Sequence, residues 1–75
     1  MPDLHVVPDA RTATWWVEDA QHAQPRSQHV TASAAESAAR RQAERDHVER
    51  IIIHDRYART RQLIRRGYAW LQRRT

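Results

Sequence analysis

Cysteine, lysine, asparagine and phenylalanine are all missing from this chain of 75 residues, and glycine occurs once. The lack of cysteine excludes a disulfide framework and thiolate chemistry. The lone glycine, Gly67, excludes a glycine-rich loop of the kind that wraps phosphates. Because all thirteen basic residues are arginine, the composition is typical of a high-GC genome, bacterial or phage, and codon bias supplies part of the arginine content.

Long apolar runs are missing too. No stretch approaches the ~18 apolar residues that would span a bilayer, and residues 1–10 lack the basic start and apolar run of a signal peptide. We therefore expect a cytoplasmic protein without a membrane partner. A chain of 75 residues makes one domain with a marginal core, and a homodimer is the usual remedy when disulfides and metals are missing.

Positive charge is what the chain has in excess, and it is concentrated at one end. Residues 56–75 carry seven arginines and no acidic residue, which supplies most of the formal net charge of +4. Guanidinium groups stay charged and match phosphate oxygens, which favours contact with a polyanion. The alternative is a solvated surface on an arginine-biased protein, and both interpretations stay open. The predicted binding residues are Arg56, Arg59, Arg61, Arg65, Arg66, Arg73 and Arg74.

The N-terminal part of the chain predicts a β-hairpin. Residues 4–7 form a short β-prone run that Pro8 ends, and residues 12–18 form a second run rich in aromatic and β-branched side chains. The polar residues 19–28 predict a loop, with a segment at 28–30 that is either part of it or extended.

An alanine-rich helix follows. Ser33 and Glu36 have the capping-box spacing, and Thr31 is a competing N-cap. A stripe of mostly small residues at helical spacing predicts a face that approaches a sheet closely. Its members are Ala35, Ala38, Ala39, Gln42, Ala43 and Asp46.

The run Ile51–Ile53 predicts a central strand, because three consecutive β-branched residues disfavour a helix interior. One long helix from Ser33 onward is the alternative, since residues 26–66 contain neither glycine nor proline. The isoleucines do not continue the alanine stripe smoothly, so we favour the strand.

The C-terminal end has two interpretations. Residues 59–65 alternate as a strand would, with arginines on one side. Four other positions have helical spacing instead: Tyr57, Ile64, Tyr68 and Leu71. Gly67 indicates an interruption. We expect residues 1–66 to form a single domain whose last strand ends near Arg66, and residues 67–75 to be a basic tail, loose or helical.

The order of these motifs resembles a bacterial family, the domain of unknown function family 2188. The similarity covers residues 4–61, and it implies an α+β fold, a small β-β-α-β-β domain with an antiparallel sheet and one helix packed on one face. It implies no activity, because the family is uncharacterised. The motifs that carry the resemblance are His5-Val6-Val7-Pro8, Trp15-x-Val17, the alanine-rich helix and Ile51-Ile52-Ile53-His54.

The chain departs from the family pattern at several places. Tyr57-Ala58 replaces the usual Asp-Gly turn, and the typical glycine at the end of the helix is replaced near Asp46-His47. Residues 63–75 have little counterpart, so their charge is specific to this protein. Glu36 and Gln42 also fall where the family tends to be apolar, which leaves the helix register open.

One helix covers only one face of a four-stranded sheet. If Trp15 and the outer isoleucines of Ile51–Ile53 face the helix, the alternating residues lie on the other face together with Val7. A soluble monomer normally avoids an apolar patch there. Burial in a homodimer or beneath the C-terminal tail is one interpretation, and a stacking platform for nucleobases is another. The predicted open-face patch consists of Trp16, Ile52, His5 and His54.

Catalysis and metal binding have little support in the sequence. No nucleophile–base pair and no carboxylate pair is evident, so we expect no enzyme, no catalytic residue and no cofactor. The histidines have no i,i+4 pairing and no cysteine partners, which favours a hydrogen-bonded structural pair of His5 and His54 over a metal site. The five histidines are His5, His22, His29, His47 and His54.

These features predict a small non-enzymatic binding protein, and they leave two hypotheses for its partner. In the first, the arginine-rich C-terminal segment binds DNA or RNA without sequence preference, since no DNA-reading or RNA-binding motif is present. In the second, the chain is an interaction or regulatory module, of phage or mobile-element type, that docks on an acidic protein partner without touching nucleic acid.

Overall fold

The computed structural model describes residues 3–19, 27–57 and 59–74. His22 and Ala58, named above, lie outside these ranges. The described residues form six strands and one helix. In chain order they are β1 (Leu4–Asp9), β2 (Thr14–Asp19), β3 (Ser27–His29), α1 (Ala32–Asp46), β4 (Arg50–His54), β5 (Thr60–Arg66) and β6 (Ala69–Arg74).

The strands form one sheet in the order β3-β2-β1-β4-β5-β6, with α1 packed on one face. The expected α+β fold with β-β-α-β-β order is confirmed, and two strands extend it, one at each edge. The sheet is not wholly antiparallel, because β1 and β4 pair in parallel at its centre. β2 runs back beside β1, and β3 returns the chain to the direction of β1. The crossover through α1 then brings β4 in with the same direction as β3 and β1.

The core lies between α1 and the face of the sheet that it covers. Leu4, Val6, Val17 and Ile51 are almost fully buried there, as the period of two along a strand requires. The helix contributes small side chains at i, i+4 spacing, which allow a close approach to the sheet. These fully buried residues are Ala35, Ala39 and Ala43, all members of the predicted stripe.

Both ends of α1 have specific caps. The Thr31 hydroxyl accepts a hydrogen bond from the backbone N–H of Ala34 at 3.0 Å, so Thr31 is the N-cap instead of Ser33. At the other end His47 adopts a left-handed conformation with φ of 56°, and its N–H donates to the carbonyl oxygen of Ala43. His47 thus occupies the conformation for which glycine is usually selected, and the one-long-helix alternative is wrong.

Residues 69–74 are the main difference from expectation. They form β6 and continue the sheet that residues 1–66 were expected to make alone, so the loose or helical tail is wrong. Gly67 has φ of +62° at the first position of a two-residue loop, where type II′ hairpins favour glycine. The interruption indicated by this glycine is therefore a hairpin turn.

The helix α1 has fifteen residues and a charged outer surface. Within the described part of the chain, no helix has the length and apolar character needed to cross a bilayer.

Candidate functional site

Five of the seven predicted arginines lie on one hairpin, made by β5 and β6, which we call the basic hairpin (residues 60–74). It contains no acidic residue. The helix packs against β1 to β4 and does not lie over this hairpin, which forms one edge of the sheet. The five are Arg61, Arg65, Arg66, Arg73 and Arg74.

The period of two divides these arginines between the faces of the sheet. Arg61 and Arg65 flank the buried Leu63 and lie on the face that α1 covers. Arg66 and Arg73 lie on the opposite, open face. The structure therefore does not gather the predicted residues on one continuous surface.

Part of the positive charge is compensated within the fold. The guanidinium of Arg61 donates to Glu36 Oε2 at 3.0 Å and to Gln72 Oε1 at 3.1 Å. The other carboxylate oxygen of Glu36 accepts from Arg40 at 3.2 Å, which is the i,i+4 pair expected on the helix. Glu36, proposed above as a capping-box residue, instead ties the basic hairpin to α1.

The remaining two predicted arginines lie in the turn between β4 and β5. Asp55 organises this turn, because its carboxylate accepts the backbone N–H groups of Tyr57 at 2.8 Å and Arg59 at 2.9 Å. The hydrogen bond from the Arg59 N–H is the largest reason that the pKa of Asp55 lies below its ordinary value. The Arg59 guanidinium also approaches Asp55 at 3.4 Å, and that of Arg56 lies 5.8 Å from the ring centre of Trp15.

At the other end of β5 the hairpin closes in what we call the basic tip (residues 65–68). Arg50 pairs with Ile64, and the backbone N–H of Arg65 still donates to the carbonyl oxygen of Glu49 at 2.9 Å. Arg66 pairs only with Ala69, so the basic tip projects past β4 from Arg66 onward. The side chain of Tyr68 is 100% exposed. The sequence signal for this site is an aromatic residue close to two arginines at the break that Gly67 indicates. Because the sequence predicts a tail from residue 67 onward, this signal does not identify the site.

Arginines of the basic tip have no carboxylate partner among the residues that the structure describes. Arg65 Nε donates to the carbonyl oxygen of Gly67 at 3.1 Å, which shapes the turn. Arg66 is exposed and makes no such bond. Within the basic tip, the Arg66 guanidinium is therefore exposed and has no ion-pair partner among the described residues, whereas Arg65 is half-buried and bonded to the turn.

The four residues predicted for the open face all lie there. Pairing along β1, β4 and β5 adds Val7, Ile64 and, on β6, Leu71 to the same apolar surface. Ile64 follows from the predicted alternation of β5. Leu71 does not follow from the sequence, which predicts a tail for its segment and no strand.

His5 and His54 form the expected hydrogen-bonded pair. His5 Nδ1 and His54 Nε2 are 3.0 Å apart, and the two rings stack with centres 5.2 Å apart. Such a bond requires one N–H and one free lone pair, so at least one imidazole is neutral. Burial lowers the pKa of His54 below its ordinary value, the neighbouring His5 lowers it further, and Glu18 partly opposes both.

Two further arrangements bear on catalysis. Across residues 3–19, 27–57 and 59–74, no group of three or more histidine, aspartate and glutamate side chains is placed to hold a metal ion. Ser27 Oγ lies 2.8 Å from His29 Nε2, beside a shallow cleft between β3 and α1. In the described part of the chain no carboxylate bonds to His29, although a nucleophile–base pair relies on such a group for orientation.

Comparison with known proteins finds a match to a family model. No curated protein and no solved structure matches the chain. A family model described as "uncharacterized protein conserved in bacteria" (DUF2188) matches residues 4–65, which confirms the resemblance stated from the motifs. The match runs from β1 into β5 and ends within the basic tip, before β6. Since it spans most of the sequence, this chain belongs to the bacterial domain of unknown function family 2188.

Proposed function

We propose that this protein is a small, non-enzymatic, cytoplasmic binding protein whose basic tip contacts the phosphates of DNA or RNA with little preference for base sequence. The observation that carries the proposal is the combination found at residues 65–68. Arg65 and Arg66, which have no carboxylate partner among the described residues, lead into a turn that carries the fully exposed Tyr68. From Arg66 onward this turn extends past the first residue of β4.

The chemistry of these side chains fits a polyanion better than a neutral ligand. A guanidinium group stays charged at any physiological pH and can donate two parallel hydrogen bonds to phosphate oxygens. An exposed tyrosine ring provides a face on which a nucleobase can stack, and stacking does not discriminate strongly among bases. At the exposed end of the basic tip, phosphate binding by a guanidinium group and base stacking on the tyrosine ring are both possible. The Arg61 guanidinium, in contrast, is already bonded to Glu36 within the fold.

The shape of the hairpin is compatible with a nucleic-acid groove. A two-stranded β-ribbon is narrow enough to enter the major groove of B-DNA. β5 is paired with β4 up to Ile64, so only the end of the hairpin is free of a third strand. Arg65 and Arg66 lie there on opposite faces of the sheet, and a groove has a phosphate backbone on each side. The separation of Arg65 from Arg66 across the sheet therefore favours insertion over binding to a flat surface.

Fluorescence anisotropy with unrelated DNA and RNA fragments over a range of salt concentrations tests the proposal. We expect log affinity to fall linearly with log salt, and Arg65→Gln with Arg66→Gln to reduce the slope on duplex DNA by about two. Tyr68→Ala should weaken binding to single strands more than to duplexes. The matched control is Arg41→Gln with Arg45→Gln, which removes the same charge from the exposed surface of α1.

Three outcomes would contradict the proposal. One is no binding of DNA or RNA at low salt, and another is an equal loss of slope in the control variant. The third is binding of a polyglutamate peptide without binding of nucleic acid at the same salt, which would support an acidic protein partner instead.

A further inference from the structure

The open face of the sheet has an apolar centre that no described element covers. Trp16, Ile52 and Ile64 are half-buried on it by their neighbours alone, and Leu71 is 52% exposed. On the covered face the equivalent positions are closed by α1. An uncovered sheet face of this kind usually marks an interaction surface.

Opposite charges lie at the two sides of this apolar centre. Successive pairings define one row across five strands, with Glu18 on β2 at one end and Arg73 on β6 at the other. Neither side chain has an ion-pair partner among the described residues. Between them the row consists of His5, Ile52 and Gln62.

We propose that the open face packs against the open face of a second copy of this chain, about a two-fold axis parallel to the strands. Such an axis, passing between β1 and β4, lays β2 of one copy over the partner's β5. Glu18 then lies over the partner's Gln62, one strand spacing of about 4.8 Å from the partner's Arg73. An arginine side chain spans that gap, and symmetry makes the contact twice.

The charges also exclude the other face-to-face arrangement. A two-fold axis perpendicular to the strands would lay β6 over the partner's β6 and β2 over the partner's β2. If that axis runs along the row, Arg73 meets the partner's Arg73 and Glu18 meets the partner's Glu18; at other heights β6, which carries arginine, still lies over the partner's β6. Juxtaposed like charges oppose such an interface, so the charge pattern selects the axis parallel to the strands.

The size of the face limits the strength of the dimer. Six strands about 4.8 Å apart and roughly five residues long give a flat area of roughly 500 Å² per copy. A standard interface buries about 800 Å² of accessible surface per partner, and the accessible surface of a face exceeds its flat outline, so the open face corresponds to the small end of standard interfaces. We therefore expect a dimer that dissociates on dilution, not an obligate one.

The arrangement has a geometric consequence for the basic tip. Rotation about an axis parallel to the strands keeps the strand direction, so both tips project from the same end of the dimer, roughly 20 Å apart. Arg66 and Tyr68 lie past the first residue of β4. The dimer does not depend on nucleic-acid binding, and a failure of either proposal leaves the other intact.

Sedimentation velocity over a series of protein concentrations, without nucleic acid, tests the dimer. The wild type should shift from monomer to dimer as concentration rises. Glu18→Arg and Arg73→Glu should each weaken dimerisation by at least tenfold, and the double variant should recover most of that loss. Arg41→Glu, on the exposed surface of α1, is the matched control and should leave the association unchanged.

Folding of each variant is checked by its amide NMR spectrum, which should keep the dispersion of the wild type. A wild type that stays monomeric at millimolar concentration would overturn the proposal. So would the finding that the open face binds only a different molecule and not a second copy of this chain. If the single variants dimerise normally, or the double variant does not recover, the axis is wrong.

Discussion

Trp15 and Trp16 are adjacent in β2, yet they lie on opposite faces of the sheet. The indole of Trp15 is 9% exposed and belongs to the core beneath α1, with the Arg56 guanidinium 5.8 Å from its ring centre. Trp16 lies on the open face and donates its indole N–H to Asp9 Oδ2 at 3.1 Å. One tryptophan therefore stabilises the monomer, and the other is available at the surface.

Replacing the two tryptophans should have unequal effects. Trp15→Ala removes the largest core side chain and should destabilise the fold by about 3–5 kcal/mol, which a domain of this size does not tolerate. Trp16→Ala should leave the monomer folded and weaken self-association. Urea denaturation at low protein concentration and sedimentation measure the two effects, with Trp15→Phe as a milder core variant. Equal losses of stability from both alanine variants would contradict the face assignment.

The alanine stripe of α1 should not accept larger residues. Ala39 is fully buried against the sheet, so Ala39→Leu should push the helix away and cost about 1–3 kcal/mol in the free energy of unfolding. Ala34→Leu, on the exposed side of the same helix, should change it by less than about 0.5 kcal/mol. Thermal and urea denaturation report both values. A stable Ala39→Leu variant would mean that the helix lies farther from the sheet than described.

Removal of the helix cap discriminates between two candidates. Thr31→Ala should cost about 1 kcal/mol, because the backbone N–H of Ala34 loses its acceptor. Ser33→Ala should cost less than about 0.5 kcal/mol, since its expected partner Glu36 bonds to arginines instead. Chemical denaturation of the two variants side by side is the measurement. If Ser33→Ala costs more than Thr31→Ala, the helix is capped by the capping box of Ser33 and Glu36 instead.

Stability should depend on pH through His54. Its pKa is lowered in the fold by burial and by His5, with Glu18 acting in the opposite sense, so the unfolded chain takes up the proton more readily. Stability is therefore full above the unfolded pKa of about 6.5 and falls as pH drops toward the lower folded value. Urea midpoints at pH 8 and pH 5 should show this loss, and His54→Gln should reduce it.

The control for this dependence is His47→Asn. His47 is exposed, and asparagine tolerates its left-handed conformation, so the variant should keep the wild-type response to pH. If His54→Gln and His47→Asn respond alike, the His5–His54 pair is not the source of the pH dependence.

The sequence predicts well those features whose buried and exposed residues alternate at short intervals along a strand or a helix. Alternation in β2, β4 and β5 correctly placed Trp15 with the helix and Trp16 opposite, and it brought His5 near His54. Helical spacing identified the buried alanines of α1. In each case the residues that fix the structure lie within a few positions of one another, so their pattern is visible locally.

The features that were missed depend on distant partners. β6 is an edge strand whose conformation is fixed by pairing with β5 across Gly67, and its own residues alternate only weakly. The position of Arg61 is set by Glu36, 25 residues earlier in the chain. Neither relationship can be seen in a local window, which is why Arg73 and Arg74 were expected in a tail outside the sheet and instead lie on the second strand of a hairpin.

The parallel pairing of β1 with β4 has a consequence for how the molecule acquires its structure. The pairing joins segments that are far apart in the sequence. Asp3, just before β1, and Arg50, the first residue of β4, are separated by 47 positions, and their side chains are bonded at 2.8 Å. The two flanking hairpins can form from near neighbours, but the centre of the sheet must wait for the slow closure of a long loop. During synthesis, the first hairpin therefore leaves the ribosome with an unsatisfied edge until residue 53 has emerged, and this interval is when the chain is most exposed to misassociation.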